Sequence, residues 1–156
     1  MKNIHSLEGM PVVNDGTRIG RVICVQLDMS LSRMAGLHID CPFRGRRYIP
    51  AGQVRLLGEM AVLAKPEFVR AAPAPVLPRR ALLPDGTHLG YITGAWLDEN
   101  ALCVESLELS GGILQDIFSG RIRVRLYHVQ KENGDVIIEG QEAQRVPSPL
   151  KEGETV

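Results

Sequence analysis

The chain has 156 residues, 44% hydrophobic and 23% charged, which excludes wholesale disorder and fits one ordinary domain or two small ones. Eighteen Lys and Arg balance eighteen Asp and Glu, so no whole-chain charge draws the protein to nucleic acid or to an anionic membrane. Only 4% is aromatic, with sixteen Gly and ten Pro, so the core must be Val, Leu and Ile on short strands between many turns.

Residues 1–20 contain Pro11, Asp15 and Arg18 and no apolar run of signal-peptide length. No segment approaches the ~20 apolar residues of a membrane span. Cys24, Cys41 and Cys103 form no CxxC and no Cys/His pair at metal spacing, which favours a reducing compartment. A cytoplasmic protein without membrane contact is expected. Asp15-Gly16 reads as a hairpin turn. The β-branched residues of Arg18–Asp28 predict a strand, followed by strands at Met34–Asp40, Arg46–Pro50 and Met60–Leu63. Residues 65–79 carry four prolines between 66 and 78, which bar helix and central strand and predict an extended linker. Asp85-Gly86 opens a second series, with strands at Leu89–Leu97, Leu102–Leu109, Arg121–Leu126 and Val136–Glu139. Asn133-Gly134 is a type I′ hairpin signal. Residues 142–156, with few apolar side chains, are expected to be disordered.

The two series are copies. Asp15-Gly16-Thr17-Arg18-Ile19-Gly20 reappears seventy residues on as Asp85-Gly86-Thr87-His88-Leu89-Gly90. At the same spacing Leu27-Asp28 meets Leu97-Asp98, Leu37 meets Leu107 and Ile39 meets Leu109. The spacing then becomes 75, with Phe43-Arg44-Gly45-Arg46 facing Phe118-Ser119-Gly120-Arg121. Copy two therefore carries a five-residue insertion within 111–117. There Ile113, Leu114, Ile117 and Phe118 share one face of a helix too short to stand alone. That face is either a plug on its own barrel or an interaction surface. Each copy is about 60 residues, and closing its strands into a small barrel would remove exposed edges.

Several of these residues resemble a known family. Ser6-Leu7-Glu8-Gly9-Met10-Pro11-Val12-Val13, then Asp15-Gly16-Thr17-Arg18-Ile19-Gly20-Arg21-Val22 and Leu27-Asp28, are similar to the opening of a PRC-barrel domain. Gly36-Leu37-His38-Ile39 and Arg46-Arg47-Tyr48-Ile49-Pro50 fit its continuation. Gly112 to Arg121 is similar to a segment of PRC-barrel proteins linked to sporulation in Gram-positive bacteria. Cys24 and Gly94 stand where the family often has an acidic residue, and Arg125 stands where copy one has Pro50. The resemblance implies a six-stranded barrel. The family uses it for docking or assembly in the photosynthetic reaction centre H subunit and in a ribosome maturation factor. Fold likeness alone does not carry function.

No catalytic constellation emerges. His5, His38, His88 and His128 stand apart from one another and from the cysteines, and read as surface or hydrogen-bonded histidines. Asp28 and Asp98 end equivalent strands, where carboxylates satisfy turn amides. Gly16, Gly20, Gly86 and Gly90 precede strands, so turns or close packing explain them better than a phosphate cradle. Cys24, within an apolar strand, reads as a small buried residue. Arg44, Arg46 and Arg47 flank Phe43 and Tyr48, and Arg121, Arg123 and Arg125 mirror them. Arginines beside aromatics can bind RNA; a solvated face paired with Glu59, Glu105 or Glu108 is the simpler reading.

The expectation is an all-β chain of two tandem six-stranded PRC-type barrels, at 1–64 and 80–141, with the linker at 65–79. It is a non-enzymatic adaptor without cofactor or metal, binding a protein partner and open to homo-oligomerisation. The alternative is a ribosome- or RNA-associated factor. The candidate surface is Arg44, Arg46, Arg47, Arg121, Arg123, Ile113, Leu114, Ile117 and Phe118.

Overall fold

The computed structural model describes residues 1–68, 72–111 and 122–139, and the backbone of Gln144 and Arg145. Among these residues the regular structure is β, with two short 3-10 turns and no α-helix. The chain divides into two compact units, Met1–Val76 with Trp96–Val104, and Leu77–Ala95 with Glu105–Val156. The insertion residues Ile113, Leu114, Ile117 and Phe118 lie outside the described residues, as does Arg121.

The first unit contains β1 (Lys2–Asn3), β2 (Pro11–Asn14), β3 (Thr17–Leu27), β4 (Met34–Cys41), β5 (Gly45–Pro50), β6 (Val54–Leu57) and β7 (Val62–Ala64). The last six form one sheet in the order β5-β4-β3-β2-β7-β6. The β2–β7 pair is parallel and the other pairs are antiparallel. No ladder joins β5 to β6, so this sheet is open where a closed barrel is expected from sequence. Val12, Val22, Leu37, Ile39, Ile49 and Val62 are buried, alternating along their strands as a one-sided core requires. Leu7, on the 3-10 turn Ile4–Leu7, is fully buried, and the Gly9 amide donates to the Val22 carbonyl at 2.8 Å. The Ser-Leu-x-Gly opening thus seats one leucine and anchors the chain on β3.

The second unit holds β8 (Arg79–Leu82), most of β9 (His88–Leu97), β10 (Val104–Ser110), β11 (Ile122–Val124), β12 (Tyr127–Val129), β13 (Val136–Ile138) and β14 (Gln144–Arg145). Their order is β12-β13-β8-β9-β10-β11-β14, a half-barrel. Apart from β14 this is the strand order of the first sheet, with β13–β8 again parallel. A buried Asp135 takes both branches of the Arg80 guanidinium, at 3.1 and 2.8 Å, tying β8 to the turn before β13.

Two devices recur at equivalent places. The ladder slips by one residue at Ile19 between β2 and β3, and at Leu89 between β8 and β9. Such bulges bend and twist a strand. The next residue is Gly20 or Gly90. A Cβ on Gly20 would lie 2.6 Å from the Asp40 carbonyl oxygen, and one on Gly90 would overlap the Ser110 carbonyl. Both glycines therefore serve close backbone approach.

The turns differ for local reasons. Asp15 and Gly16 both have positive φ and make the two-residue type I′ turn. Copy two has Pro84 at the corresponding point, and its φ near −65° suits a type I turn instead. The loop becomes Pro84-Asp85-Gly86, with the Gly86 amide donating to Leu83 and the Leu83 amide to Thr87, both at 2.9 Å. At Asn133-Gly134 the type I′ expectation fails, because only Gly134 has positive φ. The Asn133 side chain instead accepts the Asp135 amide at 3.0 Å within a longer loop from Gln130 to Asp135. Leu102, at φ 56°, sits in a hairpin loop, so β10 starts later than its apolar run implies.

Asp28 accepts the Ser32 and Arg33 amides at 2.8 and 3.2 Å, and Asp98 accepts those of Asn100 and Ala101 at 2.7 and 3.1 Å. Both carboxylates hold loops. These two loops, both within the first unit, also meet. The Met34 amide donates to the Leu102 carbonyl and the Val104 amide to Ser32, each at 2.8 Å, around the bridge Arg33–Cys103. The two bonds interchange when the repeat positions are exchanged. Among its described residues before Arg79 the proline-rich segment forms neither helix nor strand. Its Lys65 amide donates to the Gln53 carbonyl at 3.0 Å and its Glu67 amide to the Gln53 side chain at 2.7 Å.

Replacing Gly20 or Gly90 by Ala should each cost about 1–3 kcal/mol, because a carbonyl must give way in a packed sheet. Chemical denaturation of the two variants checks this. Gly52→Ala, where a Cβ meets nothing within 4 Å, is the control.

Candidate functional site

The β4–β5 hairpin carries three of the arginines singled out from sequence. Its turn runs Cys41-Pro42-Phe43-Arg44, closed by the Arg44 amide donating to the Cys41 carbonyl at 3.1 Å. Pro42 suits the second position of such a turn, but the third normally requires glycine or asparagine when φ is positive. Here it is Phe43, at φ 66°, with its ring fully exposed. A bulky residue in this region is strained, and an exposed aromatic ring adds nothing to the fold in return. Beside it lies an open hollow of about 630 Å³, lined by Arg18, Arg21, Asp40, Cys41, Pro42 and Phe43 among others.

Along the outer face, Asp40 stands in register between Arg21 on β3 and Arg46 on β5. Arg44 and Arg46 are exposed and Arg47 is half-buried, its guanidinium donating to the Arg46 carbonyl at 2.9 Å. No carboxylate lies within ion-pair distance of these three among the described residues. The pairing expected from sequence is not made here, since Glu59 takes Lys2 at 3.2 Å. Arg123 belongs to the second unit. It sits on β11 opposite Glu108, and its Nε donates to Ser106 Oγ at 2.8 Å. The structure thus groups Arg44, Arg46 and Arg47 and leaves Arg123 apart. The position of Arg121 falls outside the described residues.

A second feature lies on the same outer face. The ladder between β3 and β4 slips at Ile23, which turns Cys24 outward to face His38. Cys24 is therefore half-buried in a groove, and Cys41 is the buried thiol. The groove, about 300 Å³, is lined by Cys24, His38, Arg46, Arg47 and Tyr48, with Ala72 and Pro75 of the proline-rich segment as part of its wall. Gln26 holds that wall, its amide nitrogen donating to the Ala74 carbonyl at 2.9 Å. The same amide's oxygen meets His38 Nε2 at 2.8 Å. With the Gln26 nitrogen committed to carbonyls, His38 must carry its proton on Nε2, leaving Nδ1 as an acceptor. The His38 and Tyr48 rings are 5.2 Å apart, and Tyr48 lies over Gly36, where no side chain would fit. Sequence pattern reads His38 as a surface or hydrogen-bonded histidine but could not reveal this groove, because the slip at Ile23 leaves no mark in the apolar pattern.

Burial sets the protonation states. Desolvation, then the Arg46 charge, push the His38 pKa below its ordinary value, so the ring is neutral at pH 7. Desolvation and the nearby Glu8 raise the Cys24 thiol against the opposing pull of Arg46. Desolvation raises Tyr48. Arg46 thus bears electrostatically on two groups of the groove. Among the described residues no group of three or more His, Cys, Asp or Glu is arranged to hold a metal ion, and no helix is long and apolar enough to cross a membrane.

No protein-family model matches the chain, and no curated protein matches it in sequence.

His38 should titrate below 6.5, and Arg46→Gln should move it upward, as proton NMR of the imidazole will read. A folded-state pKa below the unfolded one means that the unfolded chain takes up the proton first. The His38 contribution to stability should therefore be complete above about pH 6.5 and lost as the pH falls from there towards the folded-state value. A His38→Gln variant should lack that part of the pH dependence.

Proposed function

We propose that this chain is a non-catalytic docking adaptor of the PRC-barrel type. In this reading two tandem six-stranded barrels are joined by the proline-rich segment, and the β4–β5 hairpin meets an acidic protein partner. The observation that carries the reading is Phe43, a fully exposed aromatic ring held at φ 66° among Arg44, Arg46 and Arg47. A stabler turn was available with glycine, so the strained phenylalanine makes sense as an anchor. Aromatic and arginine side chains dominate interface hot spots. Arginines without internal carboxylates are free to take them from a partner. The repeated strand order and the Ser-Leu-x-Gly opening support the family assignment. The reading places the protein in the bacterial cytoplasm.

Phe43→Gly separates anchor from scaffold. It should stabilise the fold by about 1 kcal/mol by relieving backbone strain, yet abolish recovery of the partner in a pull-down from the native host. Arg46→Glu should reduce recovery at low salt more than at high salt. Recovery unchanged by Phe43→Gly and Arg46→Glu would defeat the proposal. Recovery lost on nuclease treatment would replace the protein partner with RNA.

A further inference from the structure

We infer that the groove between Cys24, His38, Tyr48 and the proline-rich segment is a binding site for a small aromatic carboxylate, independent of docking at Phe43. Four observations point there. First, its volume of about 300 Å³ is at the small end of ligand pockets, which run ~300–1,000 Å³. Second, its charged residues are the cations Arg46 and Arg47, which form no ion pair among the described residues. Glu8, close enough to Cys24 to raise its pKa, is drawn off by His5 at 3.0 Å. Third, Tyr48 is 7% exposed, and its hydroxyl has no hydrogen-bond partner among the described residues. Solvent reaches this oxygen, and an anion's oxygen can take the place of water as its acceptor. Fourth, beside Cys24 and the neutral His38 the lining offers apolar surface from the Tyr48 ring, Ile23, Ala72 and Pro75.

These features define complementary halves of a ligand. Arg46 and the Tyr48 hydroxyl donate to a carboxylate, while the apolar wall takes a ring. The neutral His38 adds no competing positive charge, and its Nδ1 can accept a hydrogen bond from a ring substituent. The Gln26 bridge from His38 to the Ala74 carbonyl fixes the groove's width before any ligand arrives, which lowers the cost of binding.

Benzoate is the probe, titrated into the full chain with the His38 imidazole and Tyr48 ring followed by NMR. Saturable one-to-one shifts at both are expected. Arg46→Gln should weaken binding roughly tenfold, as loss of a charge-assisted hydrogen bond predicts. Tyr48→Phe, which keeps the ring, should weaken it severalfold, and Phe43→Gly should change nothing. Absence of saturation at millimolar benzoate, or equal affinity in Arg46→Gln, overturns the assignment. Equal affinity for inorganic phosphate overturns its aromatic half.

Discussion

The frame of both sheets depends on the approach of a carbonyl to a glycine. In the first sheet the Asp40 carbonyl stands over Gly20, and in the second the Ser110 carbonyl stands over Gly90. Each glycine follows a one-residue bulge, so bend and close approach act together. The consequence reaches the candidate site directly. Asp40 is the residue that stands between Arg21 and Arg46, and the hairpin with Phe43 begins just beyond it. A side chain at Gly20 would displace the end of β4 and, with it, the turn that presents Phe43.

On that shared frame the two copies have diverged on the faces opposite the core positions Leu37, Ile39, Leu107 and Leu109. Copy one places His38 opposite Tyr48, and copy two places Glu108 opposite Arg123. Tyr48 lies over Gly36, while at the corresponding positions Arg123 reaches Ser106. One cross-strand pair is a neutral histidine on a tyrosine, and its counterpart is an ionisable pair. The inward residues show no such change: Leu37 and Ile39 correspond to Leu107 and Leu109, all buried. A sheet tolerates exchange on one face while packing holds the other, which is how a repeat acquires a second role without losing its fold.

The legibility of the chain follows the same division. The β class, the repeat and the turn role of Asp28 and Asp98 could be read because apolar alternation and Asp-Gly signals report local backbone and burial. Strand β6 could not, since of its four residues only Leu57 is buried. Nor could the outward turn of Cys24, which depends on a ladder slip set by the partner strand. Phe43 was visible only as an aromatic among arginines. Its positive φ and full exposure are tertiary facts, and they are what separate an anchor from a core residue. Glu59 illustrates the opposite error, a plausible partner for the arginines that a buried lysine far away in sequence had already taken.

The unit of repetition is also not the unit of packing. Trp96–Val104 belongs by sequence to copy two, yet it is part of the first compact unit. There Leu97 and Trp96 pair with Lys2 and Asn3, and the Asp98 loop exchanges backbone bonds with the Asp28 loop. Those bonds, Val104 to Ser32 and Met34 to Leu102, flank the equivalent positions Arg33 and Cys103 in a reciprocal arrangement like that of an isologous contact between identical chains. Self-complementary contacts of this kind arise when one surface meets its own copy. The proline-rich segment also lies against the first unit, held by Gln53 and Gln26, instead of standing clear of it.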